Sequence, residues 1–567
     1  MKRRQFFKKI IRNIGIAGGS TAAFTSCAVD TSSSSESSAN KLNSSNNFQK
    51  DTKSNQSNEL DQFLITPEMF GAVGDGKSDD SGAIQKALTW LASGHYQELT
   101  FPQGRTYRLG SSVSAHFNGG LGIRINMKSP IKPDPGIGDA FTIKSVRKGN
   151  FYFYVLEGGQ DANYNLADPP GGDQAFVIDG CRDCDFAIYG DGYAGRVVRT
   201  KDTTGFKLSF NRFSIHTGDA SSELSSKVGQ PYYFQGTSAF GLVKKITANN
   251  HKYGPVCDSI VDITYNYIEG FTGDNSGWIW KACGSVWIDN LLIGNESQAQ
   301  NCAIFTTNNN GNGCRRVHIG NALLVRSNIG ILMENYSLTN PGFNIDTMFS
   351  VDADTCALKV RNVRYANANI FSERDNNAVI LDGSDTRHLD INVKARNNQK
   401  ENILIKSGVS FTNISGNLVG ASLSSSGIYS NVKVDSRELG IKFRDLVTIN
   451  SNNESTSFDL PSSNNVEVSG GRLDSQPAFI NEPAKVINVE GAISESSGIA
   501  TISKGTNEVT VNHGLYSKPS LVLTQGQSNE TSNTKVNNIN SSSFKVVVSN
   551  KTTADRTVYW YASKNTT

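Results

Sequence analysis

Residues 70–88 read Phe-Gly-Ala-Val-Gly-Asp-Gly-Lys-Ser-Asp-Asp-Ser-Gly-Ala-Ile-Gln-Lys-Ala-Leu. Gly71, Gly74 and Gly76 permit left-handed backbone in a loop. Asp79, Asp80 and Ser81 then supply side-chain oxygens that can cap the amides of a helix starting there. Ile84, Ala87, Leu88 and Leu91 recur at helical spacing, so one face of that helix is buried, and Gly94 marks its end. A glycine loop opening a helix is also a phosphate-binding pattern, but no Val/Ile-rich strand precedes it and no Gly-Lys-Ser/Thr is present. Leu99-Thr-Phe-Pro102 and Tyr107-Arg-Leu109 follow as two short strands around a turn at Gly104.

Taken with Phe101-Pro-Gln-Gly-Arg-Thr-Tyr-Arg-Leu109, this segment resembles the entrance of the pectate-lyase-like superfamily of right-handed parallel β-helices. That group includes rhamnogalacturonases, polygalacturonase relatives, epimerases and phage tailspikes. The resemblance implies an all-β chain: a right-handed parallel β-helix solenoid with an N-terminal capping helix. In such proteins the segment caps the first coil, which makes Asp75, Asp79 and Asp80 structural. A cap of this kind names a fold and not a reaction.

The rest of the chain, read independently, repeats as a solenoid should, in units that cannot bury their own apolar face. Val286-Trp-Ile288-Asp-Asn290, Val317-His-Ile319-Gly-Asn321 and Phe343-Asn-Ile345-Asp-Thr347 share one alternation, with starts 31 and 26 residues apart. Cys302-Ala-Ile304, Ile329-Gly-Ile331 and Cys356-Ala-Leu358 form a second triple at spacings of 27 and 27. Similar alternation marks Phe206-Lys-Leu208-Ser-Phe210, Leu389-Asp-Ile391-Asn-Val393 and Val409-Ser-Phe411, and extends the solenoid over residues 63–490. Beyond it, Val509-Thr-Val511, Ser520-Leu-Val-Leu523, Phe544-Lys-Val546-Val-Val548 and Val558-Tyr-Trp-Tyr561 are strands between Ser/Asn/Gly loops. Residues 491–567 therefore read as a small C-terminal antiparallel β-sandwich, with His513 in a turn. Such a module could bind carbohydrate, drive oligomerisation or cap the open end of the solenoid.

The N-terminus reads as an address. Lys2-Arg3-Arg4-Gln5-Phe6-Phe7-Lys8, an apolar stretch from Ile14 to Phe24, and Cys27 after small polar residues resemble a twin-arginine export signal ending at a lipoprotein attachment cysteine. Residues 1–27 are read as that signal, with Cys27 as the lipidation site. Residues 28–62, rich in Ser and Asn, form a disordered tether. The expected location is the cell envelope, as a lipoprotein, or the extracellular space, with membrane contact only through the N-terminal lipid.

The chain has 567 residues with 55 Lys+Arg against 52 Asp+Glu. Six of the basic residues precede Cys27, so the remaining body is close to neutral. It offers no broad electrostatic footprint for nucleic acid and no apolar run long enough to span a bilayer. Eight cysteines leave an odd number once Cys27 is set aside, against a full disulfide framework. Cys302 and Cys356 read as small buried hydrophobes. Cys181 and Cys184 lack two further ligands for zinc and read as a turn disulfide or free thiols; no metal site is assigned.

Inward placement of the apolar positions turns Trp287, His318 and Asn344 outward in one column and Asp289, Gly320 and Asp346 in another. Rungs lie about 4.8 Å apart, which separates Asp289 from Asp346 by about 9.6 Å. Inverting glycosidases hold acid and base roughly 6.5–9.5 Å apart to admit water. Asp289 and Asp346 are accordingly candidate catalytic acids, and Glu334, beside Arg361, is a third. Trp287, His318, Trp278, Trp280, Lys359 and Arg361 are candidate substrate-binding residues, the aromatics by stacking on sugar rings. The blander reading makes the carboxylates solvated surface groups, Glu334–Arg361 an exposed ion pair, and the tryptophans interior filling. The Asn-Thr-Asp and paired-Asp pattern of polygalacturonase-like members is absent from the coils.

Three functions remain open. The first is an exported polysaccharide-active enzyme, a hydrolase or a lyase acting on a long glycan that can contain uronate. A lyase would use a cation such as Lys281, Lys359 or Arg361, with Ca²⁺ held by carboxylates as its cofactor. The second is a non-catalytic glycan-binding or adhesin-like surface protein. The third is a uronate epimerase. The expected partner is a polysaccharide, and the tailspike resemblance adds a homotrimer to the expected assemblies.

Overall fold

The computed structural model describes residues 64–565 apart from short internal segments, the longest of which are 160–171 and 218–228. The expected signal at 1–27 with Cys27 and the expected tether at 28–62 lie outside the described residues, as do Phe206, Leu208 and Phe210.

The body is a parallel β-helix. Fifteen strands, from Val113–Leu121 to Phe479–Ile480, stack into one sheet, and the intervening strands form a second, larger sheet. Each coil gives one strand to the first sheet and one strand, or two short ones, to the second. Asp262–Tyr265 and Ile268–Phe271 pair with the first and second halves of the next coil's single strand, Ser285–Gly294. The long strands therefore turn a corner without ending. In Ser285–Gly294 the inward residues are Val286, Ile288, Leu291 and Ile293, and the alternation slips at Asp289 and Asn290. Crossovers between parallel strands of one sheet wind right-handed. One apolar core runs the length of the coils from Ile65 to Leu473. Its rings stack from rung to rung, as Phe151, Phe186 and Phe213 do at centroid distances of 5.0 Å.

The entrance follows its chemistry. The helix Ser81–Ala92 buries Ile84, Ala87, Leu88 and Leu91, and Gly94 follows it at φ 82°. Asp79 Oδ1 accepts from the Ser81 amide and from Gly110 N, tying the helix start to the next strand. Asp80 instead turns back, accepting from the amides of Val73 and Gly74. Asp75 accepts from the Lys77 and Ser78 amides. These bonds hold the Asp75 and Asp79 carboxyls below the usual range, while burial pushes that of Asp80 up. All three carboxylates serve the cap.

The first triple pairs in the expected register: Val286 with Val317 and Phe343, Ile288 with Ile319 and Ile345. The second is offset by one residue at its start. Ala303, not Ile304, pairs with Ile331, and Ala303 and Phe305 point into the core while Ile304 is half-buried outside it. Val409 is inward but Phe411 is half exposed, at φ 46°, where a left-handed residue reverses the facing. All seven described cysteines are buried free thiols, with Cys257 and Cys283 Sγ atoms 3.6 Å apart in adjacent coils. Cys181 and Cys184 form no disulfide. Among the described residues no group of three metal-ligating side chains occurs, and no helix is long and apolar enough to cross a membrane.

The C-terminal strands form two antiparallel sheets. Ile493–Ile502 and Leu521–Gly526 flank Arg556–Asn565, and Glu508–Asn512 and Thr534–Asn537 flank Ser543–Val548. Ile502, Val511, Phe544, Val546, Val558 and Trp560 fill the space between them. Ile493–Ile502 also pairs in parallel with Arg472–Asp474, so it is both the last rung of the solenoid and the first strand of the sandwich. His513 lies just past the strand Glu508–Asn512. It is fully buried, its ring parallel to Phe544 at 6.1 Å, because both its nitrogens find backbone partners: Leu515 N donates to Nδ1 and Nε2 donates to Asn540 O.

Candidate functional site

The corner of the long strands gathers the polar residues of the first triple. Trp287, His318 and Asn344 are direct neighbours in successive rungs. Trp287 is 51% exposed, an uncommon state for a large ring, and its centroid lies 4.8 Å from that of His318 at 45°. The Asn344 amide nitrogen bridges two groups, 3.0 Å from His318 Nδ1 and 2.5 Å from Asp346 Oδ1. His318 Nδ1 therefore accepts, which leaves Nε2 to carry the proton toward Asp346 Oδ2 at 3.3 Å. Asp346 is thus held by two donors, and its backbone carbonyl accepts from Asn369 Nδ2 at 3.0 Å.

Asp289 sits at the slip in alternation, and its exposed carboxylate makes no hydrogen bond or ion pair with described residues. Gly320 occupies the rung between Asp289 and Asp346. A Cβ at Gly320 would lie 2.8 Å from the Asp289 carbonyl oxygen, so the corner closes only over glycine. An asparagine ladder continues the corner: Asn321 Nδ2 donates to Asn290 Oδ1 at 3.4 Å, and Asn290 Nδ2 to Asn266 O at 3.2 Å.

Trp287, His318, Asp289 and Asp346 are brought together; the other candidates are not. Glu334, Lys359 and Arg361 stand on the fifteen-stranded sheet, a different face of the coil. Glu334 and Arg361 pair across adjacent rungs at 2.9 Å as a partly exposed ion pair, and Lys359 lies between Leu332 and Ile380. Trp278 and Trp280, expected to stack on sugar rings, face the interior of the coil instead. They are 0% and 1% exposed, and Trp280 stacks on Phe305 at 4.7 Å inside the coil. Lys281 is also buried, in register with Asp258.

One buried acid escaped notice in the sequence. Asp375 accepts from Ser372 Oγ at 2.7 Å and from the Ala353 amide at 2.6 Å, and burial pushes its carboxyl up to about 7. It heads an interior chain in which Asn398 donates to Ser372 and to Asn402, and Asn402 donates to Asn431. Rung-to-rung spacing of the asparagines at 398, 402 and 431 is irregular, so periodicity could not reveal it.

No family model matches the chain. Over 51 residues, 9% of the chain, it is 41% identical to the "Depolymerase, capsule K30/K69-specific" of Klebsiella phage K64-1, and the match spans 6% of that protein's length. Among solved structures, the tailspike protein of E. coli bacteriophage HK620 in complex with pentasaccharide is similar at 11% identity, over 90% of this chain and 94% of that one, with a TM-score of 0.40. A double mutant of the same tailspike gives 11% identity, 90% and 95% coverage and a TM-score of 0.43.

Proposed function

We propose that this chain is an exported, surface-anchored polysaccharide-active enzyme that cleaves glycosidic bonds at the corner formed by Trp287, Asp289, His318 and Asp346. The observation that carries this reading is an exposed tryptophan ring beside two carboxylates two rungs apart, one anchored and one without a partner among the described residues. The ring offers a flat apolar face for a sugar. Asp346, held as an acceptor by His318 and Asn344, would take a proton from water, and Asp289, in its carboxylic acid form, would protonate the departing glycosidic oxygen. The gap over Gly320 leaves room for that water. The capsule named for the phage depolymerase supports a bacterial capsular glycan as substrate class. Elimination remains the alternative chemistry for a uronate-bearing chain. Attachment through Cys27 is part of the proposal, and so is the solenoid over residues 63–490 with a separate terminal module.

The test is digestion of a panel of bacterial, algal and plant polysaccharides, with Asp289→Asn and Asp346→Asn alongside. New reducing ends without ultraviolet absorbance indicate hydrolysis; an absorbing unsaturated uronate indicates elimination. Each variant is expected to lose at least about 100-fold in rate with its fold intact. Full activity in both removes the pair from catalysis. A glycan retained but never cleaved favours the second reading, a non-catalytic binding protein, which the exposed Trp287 alone would serve.

A further inference from the structure

In the same sheet, one outward column upstream of the column that continues Trp287, the chain places Gly342, Tyr365, His388, Phe411 and Gly440 in successive rungs. The flanking pairs Arg364–Arg387–Ser410 and Ala366–Leu389–Thr412 bracket the three aromatic positions. All three adopt left-handed backbone, at φ 60°, 56° and 46°. A bulky residue there is strained and points to a use elsewhere. Packing does not provide that use. Tyr365 is 53% exposed and Phe411 50%, and His388 is exposed between them. Their rings form a continuous stack, Tyr365 to His388 at 4.9 Å and 10°, His388 to Phe411 at 5.5 Å and 12°. The same place in the next coil is Gly440 at φ 82°, the residue this backbone suits. At the other end a side chain on Gly342 would meet nothing within 4 Å among the described residues, so none of them covers the Tyr365 end of the stack.

The neighbouring outward columns are polar. Asn367, Asp390 and Asn413 run beside the rings, and Asn369, Asn392 and Ser415 run beside those. The Asn367 column is the direct continuation of Trp287, His318 and Asn344. An apolar ring surface bordered by amides and a carboxylate matches one ligand chemistry: the C–H face of a sugar against the rings, with its hydroxyls on the amides.

We propose that Tyr365, His388 and Phe411 form a glycan-stacking subsite that continues the Trp287–Asp346 corner along the solenoid axis. This rests on the reading of that corner as a glycan site and gives it direction and length. From Trp287 to Asn413 the column spans five rung steps, about 24 Å, enough for several sugar residues. The occupant is an extended polysaccharide lying parallel to the axis, with its reactive bond at one end of the groove and its remaining sugars over the rings.

The experiment is affinity electrophoresis of the full chain in gels containing Klebsiella K30 or K69 capsular polysaccharide or members of the digestion panel. Wild type is compared with Tyr365→Asn/Phe411→Asn, since asparagine tolerates the left-handed backbone. Any polysaccharide that retards the wild type is expected to be held about ten-fold more weakly by the variant. The variant's melting temperature is expected to rise, because the strain is relieved. Equal retardation of both proteins overturns the subsite while leaving the corner's function standing. Equal retardation with a changed oligomeric state in light scattering assigns the rings to contact with a second copy of the chain. A wild type retarded by no polysaccharide overturns both readings.

Discussion

Asp375 is a carboxyl whose protonation the fold favours, since burial outweighs the hydrogen bonds from Ser372 and Ala353. Its folded value, about 7, exceeds the ordinary 3.8, so ionising it opposes folding. The penalty is absent below the ordinary value, grows as pH rises from about 4 to 7, and is complete above that, at roughly a few kcal/mol. Asp375→Asn keeps an acceptor for Ala353 and a donor for Ser372. It should raise the melting temperature by a few degrees at pH 8 and leave it unchanged at pH 3, which calorimetry across that range checks. His513 has the opposite sign. Burial lowers its basicity, and Leu515 N already donates to Nδ1, so a second proton has no place. Its contribution is present above the ordinary value of 6.5 and is lost as pH falls below it. Lowering pH from 7.5 to 5 should therefore loosen the terminal module, read as smaller amide protection factors, relative to the intrinsic exchange rate at each pH, at Val511, Phe544 and Val546, while the coils keep theirs. A titration that leaves those amides protected would refute this.

At the scale of the element, the corner of the long strands does two jobs: it turns the chain and it aims the polar residues. Gly320 shows both. Its alanine variant would drive a methyl against the Asp289 carbonyl oxygen, costing about 1–3 kcal/mol and displacing the carboxylate beside Trp287. Gly320→Ala should lower the melting temperature and reduce the proposed cleavage together, whereas Asp289→Asn should reduce that cleavage alone; unaltered stability in Gly320→Ala would contradict the close approach. The Val286, Val317 and Phe343 rungs were legible because one face of that strand is wet, so period two separates inside from outside. At Trp278–Lys281 the code fails. Ile279, on the outer side, is itself 3% exposed and packs with Tyr233 and Val256, so all four residues are buried and alternation carries no direction. Phe411 was misplaced for another reason: a left-handed residue inserts half a period, and Val409 and Phe411, two apart, face opposite ways. The constant step of 23 residues from Tyr365 to His388 to Phe411 was the available signal. The His318–Asn344–Asp346 contacts needed coordinates, because they join residues 26 apart through side-chain reach.

For the molecule as a whole, each coil rests on its two neighbours, and the ends are where the stack is vulnerable. The helix Ser81–Ala92 covers one end. At the other, the backbone edge of Ile493–Glu495 is taken by Asn565, Lys564 and Ser563 in antiparallel pairing. A chain stopped after Ile502 should expose that edge and self-associate. Light scattering of the truncated protein checks this, and a monodisperse product would show that the terminal module is dispensable as a cover. The strand Ile493–Ile502 has one more effect. Because a single unbroken ribbon passes from coil to sandwich, no swivel lies between them, so molecules gripped by their terminal module would all turn the same flank outward, like tiles laid in one orientation.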